Sequence, residues 1–343
     1  MWWGGVNRSV FMKIKLSHNF EEILSVENLL EAWREFIRGK RAKRDVQEFS
    51  MRLMNNIFSL HNDLSNHTYK HGEYQAFKIN DPKPRDIHKA SVRDRLLHHA
   101  IYRKLYPFFE KVFITDSFSC RINKGTHKAM NRFRAFARKV GKNDTKTCWI
   151  LKCDIKKFFA SIDHEILKEI LAKHISDKNT LLLLDEVVNS FNLGNSNKGL
   201  PLGNLTSQLL VNIYMNEFDQ FVKHKLKTKH YIRYADDFVL FSDNKKRLED
   251  KIEPIKYFLK NKLKLEIHED KIQIKTLSSG VDFLGWVHFS DHRVLRTKTK
   301  KRMFKRMAAS PFPETTNSYL GLLGHGDAYK LEKRIFESTT TAR

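Results

Sequence analysis

Apolar positions along the chain switch repeatedly between a helical and a strand period. Leu24, Leu29, Leu30, Trp33 and Phe36 recur at helical spacing, and Phe49, Leu53, Ile57 and Leu60 do so again, so residues 20–66 read as helical. The run RGKRAKR, 38–44, lies between the two groups and is too charged to be core. Gly72, Pro82 and Pro84 break residues 72–88 into a hairpin or extended loop. Helical spacing returns over 91–112 through Leu96, Leu97, Ile101, Leu105 and Phe109, with Pro107 expected to bend or end the first part.

Further on, CWILKCDI, 148–155, alternates in the strand sense. Asp163 is the expected N-cap of a helix that buries Ile166, Leu167, Ile170 and Leu171. Residues 180–192 predict another helix, and the Gly, Asn and Pro of LGNSNKGLPLGN, 193–204, predict a loop. A long helical pattern runs to about 226 through Leu209, Ile213, Met215 and Phe218. A hairpin over 231–242, a helix near 246–262 and strand signals at 263–275 and 281–289 follow. NSYLGLLGHGDAYKL, 317–331, predicts a helix–turn–helix with Gly324 and Gly326 in the turn. Strands joined by hairpins and mixed with helices give an α+β class rather than a strictly alternating parallel one.

Charge narrows the partners. The 343 residues carry 63 Lys+Arg against 39 Asp+Glu, a formal net charge of +24. Such a surface favours nucleic acid, because each neutralised phosphate releases condensed counterion; an anionic membrane surface is the weaker alternative. A hydrophobic share of 41% with 25 Phe excludes a disordered chain. No apolar run approaches the roughly 18 residues of a spanning helix, so no membrane is expected. Asn7 and Arg8 interrupt the apolar start, which makes it a poor signal peptide and leaves Met12 as an alternative start. Cys120, Cys148 and Cys153 form no Cys-x-x-Cys pair and suit a reducing cytoplasm. His67/His71 and His288/His292 have a spacing some zinc sites use, but they lack the accompanying Glu and lie in turn-like sequence.

The candidate chemistry centres on YIRYADDFVLF, 231–241, where Asp236 and Asp237 stand between two apolar runs. One reading is a solvated Asp-Asp turn. The other starts from the flanks: the turn sits at the edge of a core, where adjacent carboxylates repel unless a cation joins them. Asp154 ends the apolar strand WILKCD and is the third carboxylate. If the two strands are neighbours, the three converge, and oxygen-only ligation suits Mg²⁺ with substrate phosphates.

LKCDIKKFFASIDH, GLPLGNLTSQLLVNIYMNEFD, YIRYADDFVLFS, the lysine of KLEIHEDKIQI and FLGW stand in the order of reverse-transcriptase motifs. The segment SVRDRLLHHAIYRKLYPFFEKVFITDSFSCRINKGTHKA resembles the fingers of bacterial retroelement enzymes, and the resemblance covers roughly residues 80–330. It implies a right-hand polymerase: a helical extension and start of fingers over 1–80, fingers over 81–147, a palm with an antiparallel sheet over 148–290 with a finger insertion at about 170–200, and a short helical thumb over 291–343. It implies two Mg²⁺ ions, with Mn²⁺ as a possible substitute, held by Asp154, the Ile155 backbone carbonyl, Asp236 and Asp237. Lys271 would stand near the leaving pyrophosphate as contact or general acid. Arg85, Phe159, Leu202, Gly203 and Gln208 would meet the incoming nucleotide, with Phe159 as the steric gate against a 2′-hydroxyl. Either Phe158 or Phe159 is expected to be core. Phe283, Leu284, Gly285 and Trp286 resemble the primer grip, with Gly285 letting backbone approach backbone.

Leu202 stands where most reverse transcriptases have Gln, and Ser207-Gln208 replaces Ser-Pro. That variant resembles the enzymes of diversity-generating retroelements, which copy a template RNA with errors at adenines. The expected partners are a template RNA, a DNA or RNA primer, dNTPs and a small accessory protein. Alternatives are a retron-like or phage-defence reverse transcriptase and an inactive RNA-binding polymerase scaffold; Ser278-Ser279-Gly280 departs from the retron signature. A group II intron enzyme is disfavoured because little chain follows residue 330. RTKTKKRMFKR, 296–306, would lie along template and primer, and RGKRAKR would grip RNA or dock a partner.

Overall fold

The computed structural model describes residues 15–80, 84–192, 196–309 and 312–340. The alternative start at Met12 and the breaker Pro82 lie outside them. In chain order the helices are α1 (Phe20–Leu24), α2 (Val26–Phe36), α3 (Arg44–Met51), α4 (Leu53–Ser65), α5 (Val92–Val112), α6 (Thr126–Val140), α7 (His164–His174), α8 (Lys178–Asn189), α9 (Leu205–Gln220), α10 (Lys245–Leu263), α11 (Thr297–Ala309), α12 (Pro313–Leu323) and α13 (Tyr329–Thr340). The strands are β1 (Gln75–Ile79), β2 (Arg85–Lys89), β3 (Trp149–Asp154), β4 (Tyr231–Tyr234), β5 (Asp237–Ser242), β6 (Gln273–Thr276), β7 (Val281–Phe283), β8 (Trp286–His288) and β9 (Arg293–Leu295).

The chain forms two compact units, one from 1–113 with 157–217, the other from 114–156 with 218–343. In the first, α2 packs on α5, burying Leu29, Phe36, Leu96 and Ile101. The Asn28 amide donates to the Ile23 and Ala100 carbonyls, which ties α1 and α5 to α2. Contrary to the expectation from its ring, Pro107 does not end α5, which continues to Val112 with Phe109 buried. Tertiary packing outweighs the lost backbone bond there.

The second unit holds two antiparallel sheets, β4-β5-β3-β6 and β7-β8-β9. In β5, Phe238, Val239, Leu240 and Phe241 are all buried. Val239 and Phe241 share a core with Phe133 and Phe136 of α6, while Phe238 packs against Phe218 with ring centroids 5.0 Å apart. Both faces of the sheet are covered, which is why this strand reads as a continuous apolar run. Helix α6 was not anticipated, although Ala129, Met130, Phe133, Phe136 and Ala137 lie at helical spacing and are buried.

The strand expected over 281–289 is instead a hairpin, with β7 turning into β8 at Leu284 (φ 53) and Gly285 (φ 87). Two successive positive-φ residues suit the twist of a tight hairpin. The strand expected over 263–275 shortens to β6, because a 3₁₀ turn, Glu269–Lys271, precedes it. Basic helix α11 follows, then α12 and α13. A Cβ at Gly326 would collide with the Trp286 ring and lie 2.8 Å from the Arg293 carbonyl, so this turn requires glycine for space.

Candidate active site

Strands β3 and β5 pair in a register that sets Asp154 opposite Asp237 at one end of the sheet. Directly paired residues point to the same face, and here they share a hydrogen bond. Burial pushes the Asp237 carboxyl up to about 7; Lys152 pulls it down, while Asp236 and Asp154 push it further up. Lys271, at the end of the 3₁₀ turn, places Nζ 2.7 Å from Asp154 Oδ1. One ammonium group thus sits directly on Asp154.

Asp236 occupies the two-residue turn between β4 and β5, and its carbonyl accepts the Ile155 amide at 3.2 Å. A residue's amide and carbonyl face the same edge of an extended strand, so the Ile155 carbonyl faces this turn as well. The other turn residue, Ala235, has φ 55. That conformation costs a non-glycine residue ~1–2 kcal/mol. Arg233 Nη1 donates to the Ala235 carbonyl at 3.2 Å and braces it. Arg233 is itself buried: Nε and Nη2 donate to the two Asp219 oxygens at 2.8 Å each, and Nη2 also reaches Ser117 Oγ at 3.1 Å. Tyr231 Oη donates to Asp219 at 2.7 Å. This network escaped the reading of the sequence. Its signal was an arginine in the middle of an apolar strand, which needs a buried partner.

The donor set at this end is all oxygen and fits a hard divalent cation: Asp154, Asp236, Asp237 and the Ile155 carbonyl. Burial is the chief cause of the raised Asp237 carboxyl, and a cation beside it would favour the ionised form. Among the described residues, no three acidic, His or Cys side chains are drawn to ligating distance of one another; Asp154 is instead committed to Lys271.

The expected nucleotide-binding residues belong to the first unit and are linked there by main-chain bonds. The Leu200 amide donates to the Phe159 carbonyl at 2.8 Å, and the His88 amide to the Leu202 carbonyl at 3.1 Å. The latter bond joins the 200–204 turn to β2, which Arg85 begins. Gly203 has φ 111, and a Cβ there would lie 3.0 Å from Ile87 Cγ2. Phe158 is the core member of its pair, 4% exposed, whereas Phe159 is only half-buried. Gln208 lies in the first turns of α9 and is half-buried, its carbonyl accepting from the Asn212 amide at 3.2 Å.

In the second unit, Phe283 and Trp286 are buried and flank the Leu284–Gly285 turn. Among the described residues, a Cβ on Gly285 would meet nothing closer than Thr299 Oγ1 at 3.7 Å. Its positive φ is what the turn itself requires. Arg296 donates through its backbone amide to the Gly285 carbonyl at 3.1 Å, tying the turn to the start of α11.

Residues 76–288 match the model of the reverse transcriptase (RNA-dependent DNA polymerase) family. Protein YkfC of Escherichia coli K12 is 25% identical over 290 residues, covering 72% of this chain and 74% of its own. The group II intron-encoded protein LtrA of Lactococcus lactis is 26% identical over 295 residues, covering 66% of this chain and 47% of its own, so the chain spans about half of that relative's length. Among solved structures, apo telomerase from Candida tropicalis aligns at a TM-score of 0.48 and 14% identity, over 71% of this chain and 60% of its own.

Proposed function

The chain belongs to the reverse transcriptase (RNA-dependent DNA polymerase) family, and on that premise we propose that it copies a template RNA into cDNA at the Asp154–Asp237 end of its sheet. The observation that carries this reading is the register that faces Asp154 with Asp237 beside the Asp236 turn. In the reaction a primer 3′-oxygen bonds to the α-phosphorus of a dNTP, the bond to the pyrophosphate oxygen breaks, and the hydroxyl proton is lost to solvent. Asp154 and Asp236, with the Ile155 carbonyl and Asp237 in support, would hold two Mg²⁺ or Mn²⁺ ions. When bound, these lower the pKa of the 3′-hydroxyl and neutralise the leaving group. Lys271 offers a positive charge or a proton to the departing pyrophosphate.

On this reading 81–147 serves as fingers, 148–290 as palm and 291–343 as thumb, after the helical extension 1–80. Arg85, Phe159, Leu202, Gly203 and Gln208 contact the incoming dNTP, and Phe283, Leu284, Gly285 and Trp286 form the primer grip. The finer assignment, an error-prone enzyme of a diversity-generating retroelement with a small accessory protein, is supported by Leu202. Its side chain cannot hydrogen-bond as an amide does, and a few kcal/mol of selectivity is easily lost. A second reading, an intron-associated enzyme, is favoured by the match to LtrA.

The test is extension of a DNA primer on an RNA template with dNTPs and Mg²⁺. The wild-type chain extends and the Asp236→Ala/Asp237→Ala variant, still folded and still binding the duplex, does not. Equal extension by both, or none by the wild type in the presence of its accessory protein, overturns the reading. Errors concentrated opposite template adenines separate the diversity-generating assignment from the intron one.

A further inference from the structure

A cavity of about 710 Å³ lies wholly within the second unit, lined by the end of α6 and the turn after it, the 225–230 segment leading into β4, the end of β5 and the start of α10. Trp149 pairs with Ser242 at this end of the sheet, and Asp154 with Asp237 at the other. The length of β3, ~17 Å for a strand of this size, separates the two ends. The cavity is therefore distinct from the carboxylate site.

Its lining is strongly cationic. Lys139, Lys142, Lys225, Lys227 and Lys229 are exposed around it, and none is ion-paired among the described residues. The two lining acids are already engaged: Asp243 with Arg247 at 3.5 Å and Asp250 with Lys246 at 3.0 Å. His230 also lines the cavity, and its buried Nε2 has no hydrogen-bond partner. Burial lowers the His230 pKa, and Lys229, Lys139, Lys223 and Arg132 lower it further, which reports the positive field. Five unpaired ammonium groups around one hollow repel each other until an anion enters.

We propose that this cavity is a second nucleic-acid site, which grips the phosphodiester backbone of the template RNA outside the segment being copied. The identity of the RNA rests on the polymerase reading. Lysine ammonium groups are point charges suited to phosphate, and the aromatic Phe241 in the lining is buried, so no platform for stacking bases is offered. Recognition is of backbone, not of sequence. An acidic protein partner fits less well, since Leu248 is buried too and the other aliphatic lining residues, Val140 and Leu226, are half-buried.

The experiment compares the full chain with its Lys225→Gln/Lys227→Gln/Lys229→Gln variant. Binding is measured by fluorescence anisotropy from about 50 to 200 mM salt. One probe is a short template–primer duplex; the other is the same duplex with a single-stranded RNA flank on the template. The wild type should bind the flanked duplex about tenfold or more tighter at low salt. The variant should lose that advantage, and its log–log salt slope for the flanked probe should fall by ~2, at about 0.7 per lost single-strand phosphate contact. Unflanked binding, extension on the unflanked duplex and melting temperature should match the wild type. A flank advantage that persists in the variant overturns the proposal, as does displacement of the flank by polyglutamate of equal charge and length more readily than by unrelated RNA. Failure of the wild type to extend any primer would strike the polymerase reading alone, because the flank comparison needs no catalysis.

Discussion

Arg233 and Asp219 form an ion pair buried on both sides, with side-chain exposures of 1% and 0%, and Arg233 carries its remaining reach to the Ala235 carbonyl beside the catalytic candidates. Removing one partner leaves an uncompensated buried charge. Asp219→Ala is expected to cost about 3–5 kcal/mol in urea melts. The double variant Asp219→Leu/Arg233→Met should recover much of that stability but not extension activity, because the brace on Ala235 stays lost. Equal recovery of both would show that the pair serves folding alone.

Lys271 is expected to act on the reaction rather than on the fold, since it is 43% exposed. Lys271→Met should lower kcat by roughly 10²-fold or more with KM for dNTP little changed, and Lys271→Arg should restore part of it. Melting temperature should hold. Unchanged single-turnover rates for Lys271→Met would remove this residue from the chemistry.

Leu202→Gln should shift the misincorporation spectrum opposite template adenine, read by sequencing the products of primer extension. The main-chain bond from His88 to the Leu202 carbonyl does not depend on the side chain, so the turn should keep its place. The same spectrum in both proteins would assign infidelity elsewhere.

Gly326→Ala forces a methyl group into the Trp286 ring. Overpacking of this kind costs ~1–3 kcal/mol. The expected outcome is a lower melting temperature and shorter products per binding event, with single-nucleotide addition less affected. Full-length products at wild-type yield would show that the α12–α13 turn can move without consequence.

Burial pushes the His288 imidazole down to about 4. Between that value and ~6.5, its unfolded pKa, the unfolded chain binds more protons than the folded one. Stability should therefore be full above about pH 6.5 and fall as pH drops toward 4, by at most roughly 3 kcal/mol for this group. His98, held down to about 3, and His99, to about 4, act in the same direction. His288→Leu should reduce the slope of urea-derived stability between pH ~4.5 and ~6.5; an unaltered slope would mean that this ring does not contribute.

The sequence made the carboxylate end legible because one apolar strand pattern closes at Asp154 and another opens at Asp237, so pairing those strands end to end brings the carboxylates together. It also made the N-cap at Asp163 legible, whose side chain accepts from the Ile166 amide at 3.2 Å. It did not disclose the hairpin at Leu284–Gly285, because a leucine at positive φ gives no turn signal. Helix α6 was hidden by its charge: Arg132, Arg134, Arg138 and Lys139 interleave with its buried stripe. The Arg233–Asp219 pair joins residues on separate elements, α9 and β4, and neither one names its partner in advance.

Each compact unit is assembled from two separate stretches of chain. A ribosome must therefore pass the end of β5 before Asp154 gains its counterpart across the sheet. Any nascent or proteolysed product ending short of that point holds Asp154 without the carboxylate that faces it. A chain cut between residues 156 and 157, or between 217 and 218, would therefore part Asp154 from Asp237, whereas a cut between 113 and 114 would leave the two on one piece.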